Sequence, residues 1–190
     1  MKKNLMNTIA LLALLMGMSA CGGSSSTEAE STVDSTAMSS EEPEQRISPL
    51  VKKDGKIGNV NVAIQYGSPA VRGRVIWGEL EPYDEVWRTG ANEATNVKFD
   101  QDVMIEGQAL RAGHYSLFTI PRAEGAWTVI FNSEWDLEHG AYQYNAENDV
   151  LRVEVMPEFV DEVEENLSFT ITETGLELRW DKLKLPISIK

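Results

Sequence analysis

The segment from Pro82 to Thr95 gathers an indole, a guanidinium, an amide and a carboxylate around one glycine, between two stretches of strand-like alternation. Loops on a rigid scaffold are where binding sites are usually built. Arg88 supplies a planar fork of donors suited to a carboxylate or to vicinal hydroxyls, and Trp87 offers a stacking face. With Arg74, Tyr83, Asn92 and Glu93, these residues form the candidate ligand-binding set for a small polar or glycan ligand. A hydrolytic alternative takes Glu93 or a neighbouring acid as general base, with Arg88 stabilising developing charge on an envelope polysaccharide or ester. In a third, purely structural reading Trp87 belongs to the core, Arg88 pairs with an internal acid and Asn92 caps a turn, so that the segment locks two sheets together for an assembly role.

Other chemistries have less to rest on. His114 and His139 lack the paired spacing of metal ligands, and the run Asn132, Glu134, Asp136, Glu138 departs from a calcium loop at Leu137 and Gln143. No metal or cofactor is expected. No Gly-x-Ser-x-Gly elbow, phosphate-binding loop or dinucleotide fingerprint occurs.

The lone cysteine carries a different kind of chemistry. Lys2 and Lys3 precede an apolar run from Ile9 to Met16, and the small residues Gly17, Ser19 and Ala20 lead to Cys21. That is the layout of an export signal, with an apolar run too short to span a bilayer. Met18-Ser19-Ala20-Cys21 resembles the lipobox of bacterial lipoproteins, which implies cleavage before Cys21 and acylation of its thiol and new amine. A membrane held through that anchor is the expected partner, and the expected location is the cell envelope, with the outer membrane favoured. Each buried acyl methylene contributes about 0.8 kcal/mol, so several chains anchor durably.

The whole chain has 190 residues with a formal charge of -13, and 30 acidic against 17 basic side chains. An acidic chain without a basic cluster is repelled by nucleic acid and by anionic headgroups. From Gly22 to Arg46 the composition is Ser- and Glu-rich with no aromatic residue. Such a stretch cannot offset its ordering entropy and is expected to be a flexible tether reaching roughly 25 to 30 Å. The expected organisation is a signal segment at 1–20, a lipidated cysteine and tether at 21–46, and one folded domain at 47–190.

Positioning the candidate set falls to strands. Val60, Val62, Ile64 and Tyr66 alternate with polar residues, as do Trp127, Val129 and Phe131, then Leu151, Val153 and Val155, then Leu167, Phe169 and Ile171. Tyr115 to Ile120 is apolar on both parities, which suits a central strand covered on both faces. Leu176, Leu178 and Trp180 stand on even positions, but Leu183, Leu185, Ile187 and Ile189 stand on odd ones. That parity switch requires a bulge or turn at Asp181-Lys182, and Pro186 argues for a sheet edge. About nine or ten short strands, with helical turns only around Pro82 to Val86 or Pro157 to Glu165, predict an all-β antiparallel β-sandwich.

Taken as a set, Tyr66-Gly67-Ser68-Pro69, Gly73 to Gly78, the block centred on Val86 to Glu93, Ala112 to Pro121, Trp127 to Phe131, Asp149 to Val153 and Trp180-Asp181-Lys182 resemble the bacterial domain-of-unknown-function family numbered 2911. The resemblance implies an exported or lipid-anchored β-rich protein and brings no established activity. It marks Trp87, Arg88, Gly90, Asn92 and Glu93 as the family's signature block, from which His114 stands apart.

Overall fold

The computed structural model describes residues 46–190. The signal segment, Cys21 and all of the tether but Arg46 lie outside the described residues. Ten strands follow one another: β1 (Leu50–Ile57), β2 (Val60–Gly67), β3 (Asn96–Phe99), β4 (Val103–Ile105), β5 (Gln108–Leu110), β6 (Gly113–Ile120), β7 (Trp127–Asn132), β8 (Asp149–Val155), β9 (Glu158–Thr172) and β10 (Gly175–Ser188). The fold is all-β. The helical content of the described residues is two short 3-10 turns, Gly140–Gln143 and Ala146–Asn148.

The first layer is a six-stranded antiparallel sheet in the order β1-β2-β3-β6-β7-β8. Its alternation puts Val62, Ile64 and Tyr66 of β2, Val97 and Phe99 of β3, and Val129 and Phe131 of β7 into the core. β6 is covered on both faces, as its double apolar parity requires. Tyr115 and Leu117 enter the main core, while Phe118 and Ile120 meet Ile130 and Ala94 in a smaller cluster on the other side.

The second layer is the β9-β10 hairpin, extended by the β4-β5 hairpin. Met104 and Lys190 exchange backbone bonds at 2.8 and 3.0 Å, and Glu106 N donates to Ser188 O at 3.0 Å, which joins β4 to the end of β10. These strands are not uniformly short, since β9 has 15 residues and β10 has 14. Residues 158–165, read from sequence as a helical turn, are instead the first half of β9. Both of its faces are wetted there, with Phe159 and Val163 exposed, so no alternation marks it as strand.

A straight strand of β10's length would span roughly 45 Å. Yet Ile189 N donates to Thr174 O at 2.9 Å, and Gly175 lies against the Ile187 carbonyl. β10 therefore folds back on itself. The corner is Asp181, with φ of 53° and a register shift on either side of it. The parity switch has this physical meaning: Leu176, Leu178 and Trp180 before the corner and Leu183, Leu185 and Ile187 after it all reach one core. Pro186 lies between the last β9 pair, at Lys184, and the β4 bond at Ser188, where no ladder partner needs its missing N–H.

Candidate functional site

β3 pairs with β6 only as far as Ser116. Beyond it the segment 84–95 takes β3's place. Leu117 N donates to Thr95 O at 2.7 Å, Trp87 and Thr119 exchange backbone bonds at 2.8 and 2.9 Å, and Asp84 N donates to Pro121 O at 2.9 Å. Thr119 faces the core, so Trp87, opposite it, does too. Trp87 is 4% exposed. It stacks on Trp180 with centroids 5.8 Å apart and meets the edge of Trp77 at 5.6 Å, and Trp77 also touches Trp127 at 4.9 Å. The indole nitrogens of Trp77, Trp87 and Trp180 are buried with no hydrogen-bond partner among the described residues.

After Arg88 the chain reverses at Thr89, whose φ of 55° is unusual for a β-branched residue. Hydrogen bonds hold it there: Thr89 Oγ1 to Thr119 Oγ1 at 3.2 Å, and Thr95 Oγ1 donating to Thr89 O at 2.8 Å. The reversal presses Gly90 and Ala91 against the end of β2, where Ala91 N donates to Gly67 O at 3.2 Å. A Cβ on Gly67 would overlap the Ala91 carbonyl oxygen, so this approach admits only glycine. Arg88 is then braced from the far side. Its stem lies on Gly140, where a Cβ would collide with Cδ of Arg88, and Nη1 donates to Asn92 O at 3.2 Å.

Gly140 is itself positioned by β8. Asp149 Oδ2 accepts from Tyr144 Oη at 2.7 Å and from Arg152 Nε at 2.8 Å, and Arg152 Nη2 donates to Tyr144 Oη at 2.7 Å. Burial and the Asp149 carboxylate push the Tyr144 phenol up to about 12, so it stays a donor.

The facing wall is the run from Pro69 to Arg74, tied to β9 by Val71 N to Glu165 O at 2.7 Å and Leu167 N to Pro69 O at 2.9 Å. Arg74 turns back on this run, with Nε to Val71 O at 3.0 Å and Nη2 to Ala70 O at 2.5 Å. Between the two walls is a cavity of about 200 Å³, lined by Arg72, Arg74, Glu81, Arg88 and Gly90 together with Trp180. Burial pushes the Glu81 carboxyl up to about 7, against the opposing pull of Arg88 and Arg74. No guanidinium or ammonium among the described residues stands within 4 Å of it.

Of the six residues the sequence singled out, Arg74 and Arg88 line this cavity. Trp87 lies in the aromatic core. Tyr83 packs its ring against Gly78, outside the lining. Asn92 is exposed with φ of 65°, its Nδ2 donating to Ser48 O at 3.4 Å. Glu93 is engaged through both oxygens by Arg46 at 2.6 and 2.7 Å. The set does not converge as a whole, because the loop turns at Thr89 and sends its second half toward the incoming chain at residues 46–48.

Arg72, Glu81 and Trp180 escaped the sequence reading. The Arg72-Gly73-Arg74 spacing and the acid directly before Pro82 were available signals for the first two. Trp180, on the other layer, had none. His114 stacks on Trp135 with centroids 3.9 Å apart and has Nε2 at 2.8 Å from Asn96 Oδ1. Burial and Lys98 hold its imidazole below the usual range.

A family model described as "Protein of unknown function (DUF2911)" matches residues 48–189. Nothing among curated proteins or solved structures matches the chain.

Proposed function

The chain belongs to the DUF2911 family, and from that premise we propose that it is a binding module for a small polar ligand, including a glycan end, taken up in the cavity beside Arg88. One observation carries the reading: three guanidiniums, a carboxyl and an indole from four separate stretches of chain line one concave site. A fluorescence thermal-shift screen of small metabolites and glycans tests it. At least one ligand is expected to raise the melting temperature of wild type and not of Arg88→Ala. A ligand shift that survives in Arg88→Ala and in Arg74→Ala would place binding elsewhere.

The hydrolytic alternative fits Glu81 better than Glu93. Glu93 has both oxygens engaged by Arg46, whereas Glu81 lines the cavity with a carboxyl poised for proton transfer. Turnover of ester or glycoside substrates that disappears in Glu81→Gln, with folding retained, would favour it.

The module is further proposed to be a lipoprotein of the cell envelope, anchored through Cys21. The lipobox-like segment before that cysteine and the polar tether after it support this reading. Radiolabelled fatty acid should be incorporated into wild type and not into Cys21→Ala. Label retained on the variant overturns the anchor.

A further inference from the structure

We infer that the ligand of the Arg88 cavity carries an oxyanion, a carboxylate or a phosphate group, received by the side-on edge of the Arg88 guanidinium with Arg74 and Trp180 around it; this rests on the reading of that cavity as the binding site.

Donor accounting comes first. Of the five N–H groups of Arg88, one on Nη1 is used by Asn92 O, and the Nε and Nη2 edge has no acceptor among the described residues. That edge is the fork which matches carboxylate and phosphate oxygens bidentately. A guanidinium held by a backbone carbonyl on one side and by Gly140 along its stem is already oriented, so little side-chain entropy is lost on binding.

Charge points the same way. Residues 47–190 carry 24 acidic and 14 basic side chains, so cations would ordinarily find acids close by. Arg72, Arg74 and Arg88 form no salt bridge among the described residues, although they line one cavity with a single carboxyl. Arg72 and Arg74 are exposed at the rim and Arg88 is half-buried, so the cluster presents net positive charge to an anion entering the cavity. Trp180, fully buried, closes the cavity from the second layer, so an anion entering beside Arg88 meets an indole wall on that side. A neutral sugar needs donors and acceptors in balance, whereas three guanidiniums here accompany a single carboxyl.

Glu81 sets the pH range. Ionised, it competes with an incoming anion for the same guanidiniums; protonated, it becomes a further donor. Binding is therefore tighter on the acid side of about 7, the value to which burial lifts this carboxyl.

Calorimetric titration of the full chain with glucose, glucuronate and glucose 6-phosphate tests the inference, because the three share a ring and differ in charge. Glucuronate or glucose 6-phosphate is expected to bind at least about tenfold tighter than glucose and to lose about tenfold in Arg88→Lys, which keeps the charge but not the fork. As pH rises from about 6 to about 8 the affinity for glucuronate, whose charge is constant over that range, should fall, and less so in Glu81→Gln. Arg74→Lys is the second variant should Arg88→Lys misfold, as judged by circular dichroism. Glucose binding as tightly as the charged probes, and lost in Arg88→Ala, overturns the anion and leaves the cavity reading intact. Charged probes that bind equally well to wild type and Arg88→Ala overturn both. Failure of these probes and of inorganic phosphate at about 10 mM also overturns the anion.

Discussion

Glu81 is the side chain whose ionisation the surroundings control most. Its folded carboxyl titrates near 7 instead of the ordinary 4.5 because burial penalises the anion. The folded state thus keeps a proton that the unfolded chain releases. The stability this contributes is complete below about 4.5 and is lost as pH rises through about 7. Glu81→Gln should consequently lose less stability than wild type between about pH 5 and about pH 8, by on the order of 2 kcal/mol in urea titrations at the two values. Gly140→Ala acts on the same site from behind. The added methyl meets Cδ of Arg88 and stands 3.0 Å from Asn92 O, on a backbone with φ of 53°. The variant should stay folded, lose about 1–3 kcal/mol of stability, and lose ligand-induced thermal shift as Arg88 is displaced.

At the level of elements, the corner of β10 is the most demanding piece of backbone. Asp181 adopts φ of 53°, which aspartate tolerates through local hydrogen bonding and a β-branched residue does not. Asp181→Gly should be neutral or stabilising, and Asp181→Val should cost on the order of 2 kcal/mol by thermal unfolding. The corner was legible in the sequence as a change of parity between Trp180 and Leu183, because a strand cannot move its apolar set to the other face without one. What parity cannot express is the size of the bend, which follows from Ile189 reaching Thr174. β9 was half legible. Leu167, Phe169 and Ile171 alternate, but Glu158 to Glu165 is wetted on both faces and carries no period. The candidate site divides in the same way. Its unusual residue types drew notice to Arg88, whereas Trp87 was placed by pairing with Thr119, and the meeting of Arg72, Glu81 and Trp180 depends on two layers closing over one another.

Across the whole molecule, stability comes from one core shared by two layers, with no cross-link among the described residues. The charge pattern complements it. β9 presents Glu158, Asp161, Glu162, Glu164 and Glu165 along an exposed half, a run of like charge that discourages pairing with the edge of another sheet. Much of the second layer's apolar surface arrives late in the chain. Ile187 and Ile189 are each 1% exposed, and Lys190 pairs with Met104. Deleting residues 187–190 removes two buried isoleucines and the bonds that hold β4 and the β9-β10 turn. The truncated domain should lose at least about 4 kcal/mol, measured as a fall in the urea midpoint.

That closure by Ile187 and Ile189 also bears on the order in which the domain gains its stability. A chain made only as far as Pro186 already holds the whole six-stranded sheet, but its inner face lacks Ile187 and Ile189, and the turn at Thr174 lacks the N–H of Ile189. A chain halted before Ile187 should therefore be markedly more protease-sensitive than one carried past Ile189. Late arrival of the cover ties the stability of strands made first to residues made more than a hundred positions later.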